Sequence, residues 1–247
     1  MKKGELVLLM SEDSSHVFQI SDEKVNTSDG WVDLAEVKKM IFGSKVKTST
    51  GKIFTILRPN LIDVLRKRVK RSAQVMLPKD IASIIANTGI DPDSLIIDAG
   101  TGTGYFSIFI AKLLPKSIVV TYEVDKEFFE IAKKNIRSAD VWNVKIKNRD
   151  VTKGIQEKNA DLVMLDLKNS SLAVKHAYRS LKLGGWLVIY SPTVDHLLKV
   201  TKSVKKVGLA DFRIIENIER EWQSTKTIRP KTMGMMHTGF LTFARKV

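Results

Sequence analysis

From residue 95 onward, short apolar runs alternate with longer segments in which apolar residues recur every three or four positions. The short runs read as buried strands and the longer segments as amphipathic helices. The pattern predicts strand Leu95–Asp98, helix Tyr105–Leu114, strand Ile118–Glu123, helix Asp125–Arg137 and strand Val144–Asn148. It continues with strand Asp161–Asp166, a helix across Leu172–Leu181, strand Trp186–Ser191 after the turn at Gly184-Gly185, and a helix over about Val194–Val207. Two late strands, about Phe212–Glu219 and Gly239–Arg245, predict a hairpin that puts an antiparallel strand into the sheet. Such alternation means an α/β fold with a parallel, doubly wound sheet. Ahead of it, Asp80 is placed to cap a helix with Ile81, Ile84 and Ile85 on one face, ending near Gly89.

Residues 1–70 have a different texture and predict a small, β-rich N-terminal domain, leaving 71–247 as the larger domain. Leu6–Met10, Val17–Ile20 and Lys52–Leu57 are short apolar stretches between turn-rich segments such as Asn26-Thr27-Ser28-Asp29-Gly30 and Ser49-Thr50-Gly51. Asp33–Phe42 predicts one short helix, with Leu34, Val37 and Ile41 on one face and Gly43 past its end. After Pro59, Leu61–Leu65 leads into Arg66-Lys67-Arg68-Val69-Lys70-Arg71, a run that serves equally as a solvated helix end or a phosphate contact.

Composition narrows the class. With 43% apolar and 28% charged residues, the 247-residue chain reads as a soluble globular protein. No apolar run approaches the roughly 20 residues of a membrane span. Leu6–Met10 is too short for a signal peptide, so the expected compartment is the cytoplasm. There is no cysteine, hence no disulfide, cysteine metal site or thiol nucleophile. The four histidines, His16, His176, His196 and His237, show no metal-ligand spacing, and no metal is expected. A net charge of +14 supports a polyanionic partner, most often nucleic acid. The lysine pairs Lys133-Lys134 and Lys205-Lys206 read most simply as solvated helix faces.

The candidate chemistry sits at Leu95-Ile-Ile-Asp98-Ala-Gly100-Thr101-Gly102-Thr103-Gly104, a strand, a tight turn and a helix start in one frame. Glycine permits positive φ and close approach of a ligand to the backbone, and the helix amides that follow favour a polar or anionic group. In a doubly wound sheet, ligands bind beyond the carboxyl ends of the strands. Acids fall there in succession: Asp98 ends the first strand, Glu123 the second, Asp150 lies just past the third and Asp166 ends the fourth. Glu123 stands where an acid accepts both ribose hydroxyls of a nucleotide, which fits a nicotinamide cofactor or S-adenosylmethionine (SAM). The third glycine comes one residue earlier than in the dinucleotide pattern, and SAM has no pyrophosphate to cradle, so the spacing favours SAM. Asp98 is then placed to engage the cofactor's ammonium through the loop, and Asp150 to accept from the adenine amino group.

Asp98–Gly104 resembles motif I of the class I SAM-dependent methyltransferases. Gln74-Val-Met-Leu-Pro-Lys-Asp80, Tyr122-Glu123, Leu165-Asp166-Leu167, Val188-Ile-Tyr-Ser-Pro192, Arg229-Pro230 and His237-Thr-Gly-Phe-Leu241 together resemble the tRNA adenine-N1 methyltransferases. That family modifies the T-loop adenine at position 58, and some archaeal members also modify position 57. The resemblance implies a seven-stranded, Rossmann-like, mostly parallel sheet with a final antiparallel strand, and usually a homotetramer. It implies that Gln74 and Gly100, Thr101, Gly102, Thr103 and Gly104 lie at the cofactor, with Glu123 on the ribose and Asp150 with Val151 on the adenine. It implies that Asp166 is catalytic, and it brings Tyr190 and His237 forward as substrate-binding candidates. A strand-end tyrosine also packs well in a core, and His237 can equally satisfy a buried hydrogen bond.

The chain departs from the family at motif IV, where Asp-x-Pro-x-Pro-Trp is replaced by Asp166-Leu-Lys-Asn-Ser-Ser171, and before Pro-Lys-Asp, where Leu77 replaces the usual aromatic. Two other readings compete: methylation of a small molecule or protein, and a non-catalytic tRNA-binding subunit.

Overall fold

A computed structural model of the chain describes residues 1–70, 75–224, 227–231 and 237–247. The chain divides into two units, Met1–Lys70 and Arg71–Val247.

The first unit contains β1 (Leu6–Met10), β2 (Ser15–Gln19), β3 (Lys24–Thr27), β4 (Gly30–Asp33), α1 (Leu34–Lys39), β5 (Lys45–Lys47), β6 (Ile53–Leu57) and α2 (Leu61–Lys67). An antiparallel sheet runs β2-β1-β6-β5, and β3 with β4 forms a separate hairpin. Phe54 and Ile56 alternate with more exposed neighbours on β6, and Val46 lies between exposed Lys45 and Lys47 on β5. With Val7, Leu9, Ile20, Val32, Leu34 and Val37 they form the unit's core, each such side chain contributing about 1.5–3 kcal/mol on full burial. The segment Asn26–Gly30, expected as a turn, belongs to that hairpin, with Thr27 paired to Gly30 and the Thr27 hydroxyl on the Gly30 carbonyl at 2.7 Å. The helix expected over Asp33–Phe42 is shorter. Asp33 stands outside it as the cap, accepting from the Ala35 N–H at 2.8 Å. Asn60 and Asp63 form a capping box on α2, whose last turn carries Arg66 and Lys67, the favourable sign for that helix end.

The second unit contains α3 (Pro78–Thr88), β7 (Leu95–Ala99), α4 (Tyr105–Leu113), β8 (Ile118–Glu123), α5 (Lys126–Ser138), β9 (Val144–Asn148), β10 (Ala160–Leu165), α6 (Ser170–Ser180), β11 (Leu181–Ser191), α7 (Val194–Lys206), β12 (Ala210–Glu216), β13 (Trp222–Ser224), β14 (Ile228–Pro230) and β15 (Phe240–Arg245). Seven strands form one sheet in the order β12-β15-β11-β10-β7-β8-β9. The β7–β8, β8–β9, β7–β10 and β10–β11 pairs are parallel, and β15 runs antiparallel to both neighbours. Leu162, Val163, Met164 and Leu165 are all buried, so β10 is a continuous apolar run covered on both faces. The chain first moves outward from β7 through β8 to β9, then returns to β10 on the other side of β7. That reversal opens a crevice beyond the carboxyl ends of β7 and β10.

Three details differ from the sequence pattern. Asp80 does not cap α3: the helix starts at Pro78, whose fixed φ and missing N–H suit the first helical position, and Asp80 is buried inside its first turn. Strand β11 begins at Leu181, which pairs with Ala160. The register then shifts so that Trp186 faces Leu162, with Gly185 too close to the Ala160 carbonyl for any side chain. Finally, β12 and β15 do pair antiparallel, but a small hairpin, β13–β14, stands between them in the chain.

Candidate active site

Beyond β7 the chain turns sharply. Gly100, Gly102 and Gly104 all have positive φ, at +92°, +53° and +83°. The N–H groups of Gly100 and Thr101 both donate to the Tyr122 carbonyl, at 3.0 and 3.1 Å, which ties the loop to β8. Gly104 caps α4 without a side chain. A Cβ on Gly100 would meet the Asp166 carbonyl oxygen, and the Asp166 N–H donates to the Ala99 carbonyl at 2.8 Å. The loop and the end of β10 therefore touch backbone to backbone.

Under the loop, Asp98 is 2% exposed and accepts from the hydroxyls of Ser107 at 2.6 Å and Thr121 at 2.8 Å. Thr101 and Thr121 hydroxyls lie 2.5 Å apart. Since the single Thr121 proton points to Asp98, Thr101 must donate to Thr121. Burial pushes the Asp98 carboxyl up to about 6; the two hydroxyls pull it down, and nearby Glu123 adds to the rise. Glu123, at the end of β8, accepts from the N–H groups of Gly102 at 2.8 Å, Val124 at 2.9 Å and Asp125 at 3.0 Å. Asp150 lies past β9 and accepts the Thr152 hydroxyl at 2.7 Å and its N–H at 2.9 Å. Those bonds, the hydroxyl's first, hold the Asp150 carboxyl below its ordinary range. Val151 beside it is buried.

Asp166 follows the last residue of β10 and keeps part of its surface open while losing most of its water. That desolvation, and then the charge of Asp98, pushes its carboxyl up to about 7. Asp166 lines two cavities. One, of about 40 Å³, is bounded by Asp98, the Gly100–Thr103 loop, Met76 and Phe106. The other, of about 450 Å³, is bounded by Lys168, Asn169, Tyr190, His196 and Lys199. The first gathers Asp98, Gly100, Thr101, Gly102 and Thr103 with Asp166, while Glu123, Asp150 and Val151 lie along neighbouring strand ends outside it. Gln74 lies outside the described residues.

Tyr190, near the end of β11, is buried, lines the larger cavity, and donates its hydroxyl to the Thr238 carbonyl. His237 borders neither cavity. Its Nδ1 lies 2.6 Å from Glu216 Oε1 and its Nε2 3.2 Å from the Pro192 carbonyl. Both partners are acceptors, so only the doubly protonated ring satisfies both. Accordingly Glu216, with help from the Pro192 carbonyl, raises the His237 pKa.

The sequence reading missed several neighbours. Ser107 and Thr121 look like ordinary helix and strand residues until the fold aims them at Asp98. Lys168 stands in the sequence only as a departure from motif IV and Lys199 carries no signal of its own, yet both line the larger cavity. Asp80 and Thr238 lie in motifs singled out from the sequence, yet their contact spans 158 positions and left no local signal.

A seven-stranded sheet with one antiparallel strand, and a glycine loop at its switch point, define a class I methyltransferase fold, Rossmann-like in its parallel half. The chain belongs to the family described as the tRNA methyltransferase complex GCD14 subunit, which matches residues 59–232. A tRNA (adenine(57)-N(1)/adenine(58)-N(1))-methyltransferase of Methanocaldococcus jannaschii is 32% identical, over 90% of this chain and 88% of that protein. A tRNA (adenine(58)-N(1))-methyltransferase of Thermus thermophilus is 28% identical, over 83% of this chain and 81% of its own length. Among solved structures, a SAM-dependent O-methyltransferase from Thermotoga maritima superposes with a TM-score of 0.85 at 30% identity, covering 100% of this chain and 94% of that one. The tRNA (m1A58) methyltransferase of Aquifex aeolicus shares the fold with a TM-score of 0.79 at 22% identity, covering 100% and 98%. Among the described residues, no helix is long and apolar enough to cross a membrane.

Proposed function

We propose that this chain is an enzyme that transfers a methyl group from SAM to N1 of an adenine in the tRNA T-loop, at position 58 or 57. The observation that carries the reading is Asp166, one carboxyl that forms a wall of both the loop cavity and the larger cavity. The names of the relatives supply the substrate.

The residues present fit SAM. Among the described residues, Thr103 Oγ1 is buried at the loop cavity without a hydrogen-bond partner and nothing lies within 4 Å of a Cβ on Gly102, so the loop has room and a free donor. Gly100–Gly104 and Asp98 would hold the methionine part, Glu123 the ribose, and Asp150 with Val151 the adenine ring. When bound, SAM supplies an electrophilic methyl group on its sulfonium.

This chain's residues do the rest. Adenine N1 is already a lone-pair nucleophile, so no strong base is needed to start the reaction. Asp166 accepts a hydrogen bond from the N6 amino group and orients the ring. As N1 is alkylated, positive charge moves onto the base, and the ionised Asp166 stabilises it there. Tyr190 forms a wall for the flipped base, and Lys168 and Lys199 meet the flanking phosphates. Holding N1 in line with the methyl group supplies much of the remaining acceleration.

Unmodified tRNA with labelled SAM yields 1-methyladenosine in the T-loop, mapped by primer-extension stops. Label in a protein or small molecule, with tRNA untouched, overturns the reading. Homotetramer assembly in the cytoplasm belongs to the same proposal, and light scattering on the purified protein tests the assembly.

A further inference from the structure

Helix α3 carries a buried carboxylate that none of the chemistry above uses. Asp80 is 0% exposed. Its Oδ1 accepts from Lys79 Nζ and from Asn217 Nδ2, both at 3.0 Å, and its Oδ2 accepts from the Thr238 hydroxyl at 2.9 Å. Lys79 Nζ also donates to the Asn217 carbonyl at 2.6 Å and to the Thr238 hydroxyl at 2.7 Å. The Thr238 hydroxyl is thereby fixed twice, as acceptor from Lys79 and donor to Asp80.

A buried ion pair is weak evidence of stabilisation, because desolvation offsets most of its attraction. The cluster is better explained by what it holds. The Thr238 carbonyl accepts the Tyr190 hydroxyl, and the next residue, Gly239, passes so close to the ring that a Cβ there would stand 2.5 Å from Tyr190 Cζ. The phenol is thus held at its hydroxyl and confined at its Cζ end by one short segment. That segment is anchored to the start of α3 and the end of β12 through Lys79, Asp80 and Asn217. Burial, foremost, pushes the Tyr190 phenol up to about 12, so it remains a donor throughout the working range.

We propose that the Lys79–Asp80–Thr238 cluster is a positioning device that sets the Tyr190 ring as a wall of the cavity beside Asp166. These are positioning residues, acting on the target base only through Tyr190. The kinetic part rests on the tRNA reading above; the positioning of Tyr190 does not.

Thr238→Val removes the hydroxyl at nearly constant shape, and Thr238→Ser retains it. The chain has four tyrosines, so 3-fluorotyrosine labelling gives a simple fluorine spectrum in which Tyr190→Phe assigns the Tyr190 resonance. Thr238→Val is expected to move that resonance and Thr238→Ser to leave it in place. In turnover, Thr238→Val lowers kcat/KM for tRNA about tenfold while KM for SAM stays within about twofold. Thr238→Ser recovers that loss, and Thr238→Val combined with Tyr190→Phe is no worse than about twofold below Tyr190→Phe alone. An unmoved Tyr190 resonance in Thr238→Val, or losses that multiply in the double variant, overturns the proposal. Should Thr238→Val not fold, Thr238→Cys replaces the hydroxyl by a weakly bonding thiol, leaves the Lys79–Asp80 pair intact, and undergoes the same tests. If the parent chain leaves tRNA unmethylated, the functional reading falls while the fluorine experiment still decides the positioning.

Discussion

The carbonyl oxygen of Asp166 stands 1.9 Å from the place a Cβ on Gly100 would occupy. The glycine loop and the proposed catalytic residue are thus fitted to each other through their backbones, and a side chain on the loop cannot be relieved by a rotamer change. Gly100 also has a φ of +92°, where an L-residue is strained. Gly100→Ala is therefore expected to displace the Asp166 peptide, lowering turnover by at least about a hundredfold and stability by about 2–4 kcal/mol. Turnover and thermal melting at the parent's level would contradict this packing.

Asp166→Asn should separate activity from stability. Between the ordinary aspartate value and about 7, the folded protein holds a proton at Asp166 that the unfolded chain has released. Stability from this group therefore falls as pH rises across that window. The variant should melt several degrees above the parent at pH 8, with the gap closing towards pH 4, while turnover drops about a hundredfold. A variant that melts lower than the parent at pH 8 would refute the assigned burial cost.

The same proton shapes the rate. Only the ionised carboxylate balances the charge growing on an alkylated base, so kcat/KM, which reports the free enzyme, should climb with pH through about 7 and level off above it. The residual rate of Asp166→Asn should be flat over that range. A parent profile already flat from pH 5 would show that another group does this work.

Lys168 and Lys199 line the larger cavity, the first from the turn between β10 and α6 and the second from α7. If they meet phosphates, each alanine substitution should raise KM for tRNA and reduce the salt slope of log kcat/KM by about 0.7 to 1. The SAM dissociation constant, measured by calorimetry, should not change. An unaltered salt slope would assign both lysines to solvent.

The alternation of strand and helix was legible because the central strands are buried on both faces, leaving unbroken apolar runs such as Leu162–Leu165. Where hydrogen bonding outweighs apolar burial, the pattern failed. The β3–β4 hairpin is polar around its turn, with the Thr27 hydroxyl on the Gly30 carbonyl, and Val25 and Val32 are too few to mark strands of four residues each. Asp80 shows a different limit: an aspartate near a helix start has one sequence signature whether it caps the helix from solvent or is buried within its first turn. Only the chain's return at Asn217 and Thr238 decides between them. The carboxylates at the strand ends could be read from spacing. The second cavity bordered by Asp166 depends on where α7 packs, which spacing does not encode.

The place of β15 governs the order in which this unit can be made. Among the described residues β12 pairs within the sheet with β15 alone, yet β12 precedes it in the chain. During synthesis β12 leaves the ribosome before its partner exists, and β11 stays open on the side that β15 will cover. The parallel strands from β7 to β11 can associate while the rest of the chain is still being made. The Thr238–Tyr190 bond cannot form until the segment leading into β15 has emerged. A nascent chain thus acquires its glycine loop before it can fix the Tyr190 ring, and pulse proteolysis of stalled chains should find the loop protected first. The cavity that Asp166 and Tyr190 share is complete only when the sheet is.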